Sequence, residues 1–219
     1  MEQTEKKTLG SRITEIIENS RVVIISILGG AIVIALIIGL VVFFKNSSIE
    51  KGLTELDQIE YKYISLDAES ETLNEDKTAI LMEVTSFAKE ATGVVSLRSY
   101  LFAGNIAFEL EKWSEARDLY VNAFNADTDS YTAPIALFNA GVCSDELNEL
   151  DVAIDYLEKS VEFENFPLKA RALFNLGRIH EANNATDSAL SIYEQVSADY
   201  PDSSWAKLAK SRKISLSSN

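Results

Sequence analysis

Apolar residues fall into two patterns along this chain. From Val22 to Phe44 there are 23 residues without a charge; 17 are Val, Ile, Leu or Phe, and the other six are Gly, Ala or Ser. As a helix such a run is about 34 Å long, against a hydrocarbon core of about 30 Å. The large apolar side chains contribute at most about −5 to −10 kcal/mol to insertion, with no charge opposing them. A core helix of this length would keep one polar face. A cleaved signal peptide would have a shorter apolar region and a small-x-small site, which Phe43-Phe44-Lys45-Asn46 does not offer. A lipoprotein anchor needs a cysteine after the run, and the single cysteine is Cys143. The pattern predicts an uncleaved transmembrane helix over 22–44.

Beyond Phe44 the spacing becomes that of amphipathic helices. Ile49, Leu53, Leu56, Ile59, Tyr63 and Leu66 follow at three- and four-residue steps behind Ser47-Ser48-Ile49-Glu50, which reads as a capping box. Thr72-Leu73-Asn74-Glu75 reads as a second box, ahead of a stripe of Ile80, Val84, Phe87, Ala88 and Ala91 that Gly93 ends. Further helices are predicted over about 97–111, 114–127, 132–147, 150–164, 168–182, 187–199 and 203–213, the last with Asp202 as N-cap. Strand signals are scarce. Breaks this short make successive helices antiparallel neighbours, so the predicted fold is all-α.

A repeat runs through the later helices. Gly104, Gly141 and Gly177 are spaced 37 and 36 residues apart. Twelve residues after each comes alanine (Ala116, Ala153, Ala189), and four further on a large apolar residue (Tyr120, Leu157, Tyr193). The small residues belong where the two helices of a hairpin cross closely, and the large ones fill the space to the next hairpin. In this register the chain resembles the tetratricopeptide repeat family over about residues 97–201. The departures are Ala107, Ser144 and His180 where the family has Tyr, Thr128 and Asn165 where it has Pro, and a period two or three residues longer than 34. The longer period predicts extended turns between hairpins. The resemblance implies a tetratricopeptide-like α-solenoid, and with the span over 22–44 the predicted fold is a single N-terminal transmembrane helix followed by that solenoid. Its segments are 1–21 (a short N-terminal stretch), 22–44 (the span), 45–96 (a helical pair or degenerate repeat), 97–201 (three repeats) and 202–219 (a capping helix and basic tail).

In that family the first helices of the hairpins line a concave groove that takes partner polypeptides. Carried over by register, the groove positions are Arg98, Leu101, Asn105 and Phe108, then Ile135, Phe138, Val142 and Asp145, then Arg171, Phe174, Arg178 and Glu181. The same positions are also open to contact with the N-terminal helix pair. The lysine and asparagine set that chaperone-tail-binding repeats use for a C-terminal carboxylate is not present. The whole layout is similar to the ancillary subunit of the bacterial Sec translocon. That likeness implies partners among translocon components, envelope-assembly components or client polypeptides.

Charge sharpens the reading. The net charge is −14, with four basic and four acidic groups before Val22, so the excess belongs to the region after the span. Lys6, Lys7, Arg12 and Arg21 before the span outnumber Lys45, Lys51 and Lys62 after it, which predicts a cytoplasmic N-terminus and an exported domain at a bacterial inner membrane. Leu9, Ile13, Ile16 and Ile17 suggest an amphipathic turn on the inner surface. Ala31, Ala35 and Gly39 recur every four residues, a spacing that lets membrane helices approach closely and that is also common in membrane helices at large.

Chemistry is sparse. One cysteine excludes a disulfide scaffold, and one histidine, His180, excludes a histidine metal cage. An acidic chain repels phosphate backbones, which argues against nucleic acid as partner. No phosphate loop or nucleophile elbow occurs. Cys143 lies mid-helix without a companion histidine and reads as a small buried residue. The expectation is a non-enzymatic interaction module without cofactor or metal. The alternative is an assembly subunit of an envelope complex whose transmembrane helix carries the main contact.

Overall fold

The computed structural model describes residues 20–217, together with Gly10 and Thr14. The expected N-terminal stretch, with Leu9, Ile13, Ile16 and Ile17, lies outside the described residues. Nine helices follow in the described part: α1 (Arg21–Ile64), α2 (Leu73–Glu90), α3 (Gly93–Glu109), α4 (Trp113–Ala126), α5 (Ala133–Glu146), α6 (Leu150–Glu162), α7 (Lys169–Ala182), α8 (Thr186–Asp199) and α9 (Ser204–Ser217). No strand occurs among the described residues.

The chain divides into two compact units at Lys51 and Gly52. In the first, the described apolar side chains between Val22 and Phe44 are all exposed, from Val42 at 50% to Val22 at 77%. Among the described residues α1 is the single helix long and apolar enough to cross a membrane. It runs on through Ser47-Ser48-Ile49-Glu50 without a break, so the expected capping box does not start a helix. With no Pro between Phe44 and Ile64, and a single Gly at Gly52, nothing in the chain stops propagation once the helix exists.

In the second unit, consecutive helices pair as hairpins with two kinds of connection. Within each repeat hairpin three residues join the helices: 110–112, 147–149 and 183–185. Between repeat hairpins six residues intervene, at 127–132 and 163–168, and four before α9, so the extra length of the period sits in the inter-hairpin turns. The three-residue turn is the same each time. Glu111, Asn148 and Asn184 take left-handed φ values of 58°, 57° and 59°. The next residue's N–H then bonds back to the first helix: Lys112 N–H to Ala107 O, Glu149 N–H to Ser144 O and Ala185 N–H to His180 O. This turn closes the carbonyl end of the first helix and aims the second one back along it.

Three helix starts differ from expectation. Gly93 does not end a stripe; it opens α3 at φ 57°, so the first repeat helix begins four residues earlier than predicted. Thr72 precedes α2 but spends its hydroxyl on Asp76 Oδ2 (2.9 Å), without a side-chain bond to the helix backbone. At α9 the cap is Ser203, whose Oγ accepts from Trp205 N–H at 3.1 Å, and not Asp202.

The core is continuous from the N-terminal pair into the first repeat. Leu56 and Ile59 of α1 and Ile80, Leu81 and Val84 of α2 are buried with Ala103, Ile106 and Ala107 of α3 and with Tyr120 of α4. Two further clusters centre on Phe138, Leu157, Phe166 and Ile179, and on Leu173, Tyr193, Val196 and Ala209. Every hairpin thus buries its apolar face only by stacking on the next, as a solenoid requires.

Candidate functional site

The three glycines of the register sit at close crossings. An ideal Cβ on Gly104 would come 2.6 Å from Tyr120 Cε1, one on Gly141 2.8 Å from Leu157 Cγ, and one on Gly177 2.7 Å from Tyr193 Cε1. The nearest partner at each crossing is therefore the large residue sixteen positions on, joined at Gly141 by the Ala153 carbonyl oxygen at 3.3 Å. Ala116, Ala153 and Ala189 are fully buried beside it. A helix that tolerates no side chain at these points can lie against a ring or an isobutyl group.

Between the repeats lies a hollow of about 220 Å³, lined among others by Asn105 and Phe108 of α3, Phe138 and Val142 of α5, and Arg171 of α7. Those five come from all three repeats, so the register does bring first-helix residues together. Asn139 and Leu168 line it too and were not singled out. Leu168 lies one turn before Arg171, so extending that face by a turn finds it, whereas Asn139 lies beside Phe138 and is found only by widening the α5 face. Tyr120 also reaches the hollow, donating its hydroxyl to Asn105 Oδ1 at 2.8 Å. Burial raises the Tyr120 pKa well above the ordinary phenol range, so the hydroxyl stays a donor.

The other expected groove positions do different work. Arg98 faces Asp57 (3.9 Å) and Glu60 (3.6 Å) of α1, and Leu101 packs partly buried on the first core cluster. Arg98 thus joins the N-terminal pair, the second of the two roles its register allowed, and Leu101 lies in the shared core. Ile135 packs partly buried on the second core cluster. Asp145 accepts from Arg178, tying α5 to α7. Glu181 accepts from both Arg212 of α9 and the Tyr193 hydroxyl. Burial and the Glu181 hydrogen bond push Tyr193 up to about 12. Phe174 lies between Tyr193 (5.7 Å between centroids) and Trp205 (5.4 Å), which makes Trp205 the anchor of the capping helix. Phe138, although it edges the hollow, is 2% exposed and belongs mainly to the core.

A ladder of polar contacts joins one hairpin to the next. Glu109 of α3 accepts from Lys77 Nζ at 2.7 Å and from the Tyr63 hydroxyl at 2.5 Å. Burial pulls the Glu109 pKa upward, but these two hydrogen bonds and the Lys77 charge outweigh it and hold the carboxyl below its ordinary range. Arg117 pairs with Glu149, and Asn183 Nδ2 donates to Asp151 Oδ1 at 3.3 Å. Cys143 is fully buried, and burial pushes its thiol up to about 12, far from the range of a reactive thiolate. No group of three or more metal-ligating side chains occurs among the described residues.

Comparison with known proteins now names the repeats. Residues 103–163 and residues 171–203 each match a family model described as Tetratricopeptide repeat. These two segments are thus similar to tetratricopeptide repeats. A TPR repeat-containing protein of Treponema pallidum (strain Nichols) is 37% identical over 113 residues, which are 52% of this chain and 47% of that protein. The chain thus spans about half of the length of this curated relative. Among solved structures, the first TPR of Spaghetti (RPAP3), bound to the HSP90 peptide SRMEEVD, superposes with a TM-score of 0.50 at 21% identity, covering 58% of this chain and 94% of that one. MamA superposes with a TM-score of 0.49 at 18% identity, covering 62% of this chain and 76% of that one. The helical repeat architecture is that of a tetratricopeptide solenoid, as in the first TPR of Spaghetti.

Proposed function

We propose that this protein is a membrane-anchored, non-enzymatic interaction module that holds partner or client polypeptides in the hollow of its repeats. The observation that carries this reading is the convergence of Asn105, Phe108, Val142 and Arg171 from three separate hairpins on one hollow. Apolar walls with a few fixed polar groups suit an extended peptide. The membrane part rests on the exposed, uncharged run of α1, and the orientation on the Lys and Arg excess before it. We place the repeats on the exported side of a bacterial inner membrane. The layout suggests work beside the translocon or in envelope assembly. The buried, hard-to-ionise Cys143 supports a role without covalent chemistry.

A photo-crosslinking amino acid at Asn139, in membranes, tests this directly. Adducts to other polypeptides are expected, and they should persist after residues 1–44 are removed. Absence of any adduct at this position would sink the groove reading. Fusion of a reporter active only in the cytoplasm to the C-terminus should give no signal; an active fusion inverts the orientation.

The second reading, an assembly subunit held by its span, is favoured by Ala31, Ala35 and Gly39, which are all exposed along the helix. An ideal Cβ on Gly39 would meet nothing within 4 Å in this chain, which leaves room for a second helix. Under that reading Gly39→Leu releases the membrane complex while the Asn139 adducts are unchanged.

A further inference from the structure

Among the described residues beyond Lys51, Arg98, Arg117, Arg178 and Arg212 each face a carboxylate. Arg171 faces none. Its guanidinium lies instead over two rings, 5.2 Å from the centroid of Phe138 and 5.7 Å from that of Trp205. It is exposed, and it is the one charged residue among those lining the hollow. This arrangement is unusual for a region whose residues 45–204 carry 12 basic and 30 acidic groups. In so acidic a region, an arginine without an ion-pair partner is available to another molecule.

The geometry is that of a preorganised carboxylate receptor. The two rings draw the guanidinium to this place through cation–π attraction, and a guanidinium without a carboxylate partner binds one through two parallel hydrogen bonds. The side chain is held before the ligand arrives, so less rotamer entropy is lost on binding. The other groove charges do not compete. Asp145 is already bonded to Arg178 and Glu181 to Arg212. The rest of the hollow supplies apolar wall from Phe108, Val142 and Leu168 and amide groups from Asn105 and Asn139.

Resting on the groove reading above, we propose that the hollow selects extended peptides in which an Asp or Glu side chain stands close to an apolar residue, with Arg171 as the residue that determines specificity. The carboxylate is a side chain and not a chain terminus. Trp205, half-buried beside Arg171, gives a bound peptide apolar surface next to the charge.

Selection from a library of random dodecapeptides displayed on phage with their C-termini fused to the coat tests this on the full chain in nanodiscs. Wild type is expected to enrich an acidic residue near an apolar one, and the Arg171→Gln variant to lose the acidic preference. In a synthetic, C-terminally amidated copy of a selected peptide, replacing that Glu by Gln should weaken binding to wild type by about tenfold or more, as for a lost charge-assisted bidentate contact. The same replacement should change nothing with the Arg171→Gln protein. The Glu-to-Gln comparison is made on wild type, so it stands even if the variant folds poorly. Enrichment without acidic preference, or a preference that survives Arg171→Gln, overturns this proposal and leaves the groove reading intact. No enrichment of any sequence overturns both.

Discussion

Gly177→Ala should destabilise the repeats, although alanine is the better helix former. On propensity alone the change favours the helix by about 1 kcal/mol. The new methyl, however, would sit 2.7, 2.9 and 3.2 Å from Cε1, Cδ1 and Cζ of Tyr193, where carbon contacts prefer about 3.5–4.0 Å. The ring is fully buried, Phe174 stands 5.7 Å away, and the hydroxyl is held by Glu181 at 3.1 Å, so it has no free direction in which to retreat. Overpacking of this kind costs about 1–3 kcal/mol, and losing the hydroxyl contact about 1 kcal/mol more. The net expectation is a loss of about 1–3 kcal/mol, or a fall in Tm of roughly 2–10 °C for a domain of this size. Trp113 and Trp205 are the two tryptophans and both lie in the second unit, so tryptophan fluorescence during urea or thermal unfolding reports on this region and not on residues 22–44. The decisive control is the same substitution in a Tyr193→Ala background. With the ring gone, Gly177→Ala should stabilise by about 1 kcal/mol, a reversal of sign that measures the steric coupling. A neutral or stabilising Gly177→Ala in the wild-type background would refute the reasoning.

Three further outcomes rest on the same geometry. Glu111→Asn should raise stability by up to about 1 kcal/mol, because Glu111 holds a left-handed φ of 58° that Asn148 and Asn184 adopt more readily in the other two turns; equilibrium unfolding measures it. Phe138→Ala should cost about 3–5 kcal/mol of stability and so cannot serve as a binding-only variant, whereas Val142→Ala, half-buried at the hollow, should alter peptide binding with a smaller effect on the melt. Glu109 is held below its unfolded value, so its contribution is present above the ordinary carboxylate pKa of about 4.3 and is lost as pH falls through the lower folded value. Urea midpoints measured between about pH 5 and pH 3 should therefore fall less steeply for Glu109→Gln than for wild type.

Much of the architecture was legible in the chain itself. The helices of the repeats lie within a few residues of where periodicity placed them, and the Gly–Ala–large register located all three hairpins. Local chemistry explains that success: a Gly in a helix interior is costly, so three of them at one spacing must answer a packing demand. Helix ends were less legible. Ser47-Ser48-Ile49-Glu50 has the letters of a start signal, but a cap operates only where a helix must begin, and α1 was already running. Ser203 and Asp202 are both good caps, and the choice between them rests on local backbone geometry that no pattern encodes.

The site divides in the same way. Sequence alone determined the spacing of the first helices and, through the family resemblance, the register from which Asn105, Phe108, Phe138, Val142 and Arg171 were drawn. It also determined the uncharged run of 23 residues and the acidity of the region beyond it. Tertiary structure decided which inward residues are spent. Arg98 and Asp57 are 41 positions apart, and Glu181 and Arg212 are 31 apart; their pairing depends on how one hairpin stacks on another. Arg171, Arg178 and Arg98 are alike as letters. Stacking sets Arg178 and Arg98 against carboxylates and lays Arg171 over Phe138 and Trp205, because a guanidinium takes whichever partner the neighbouring hairpin brings within reach.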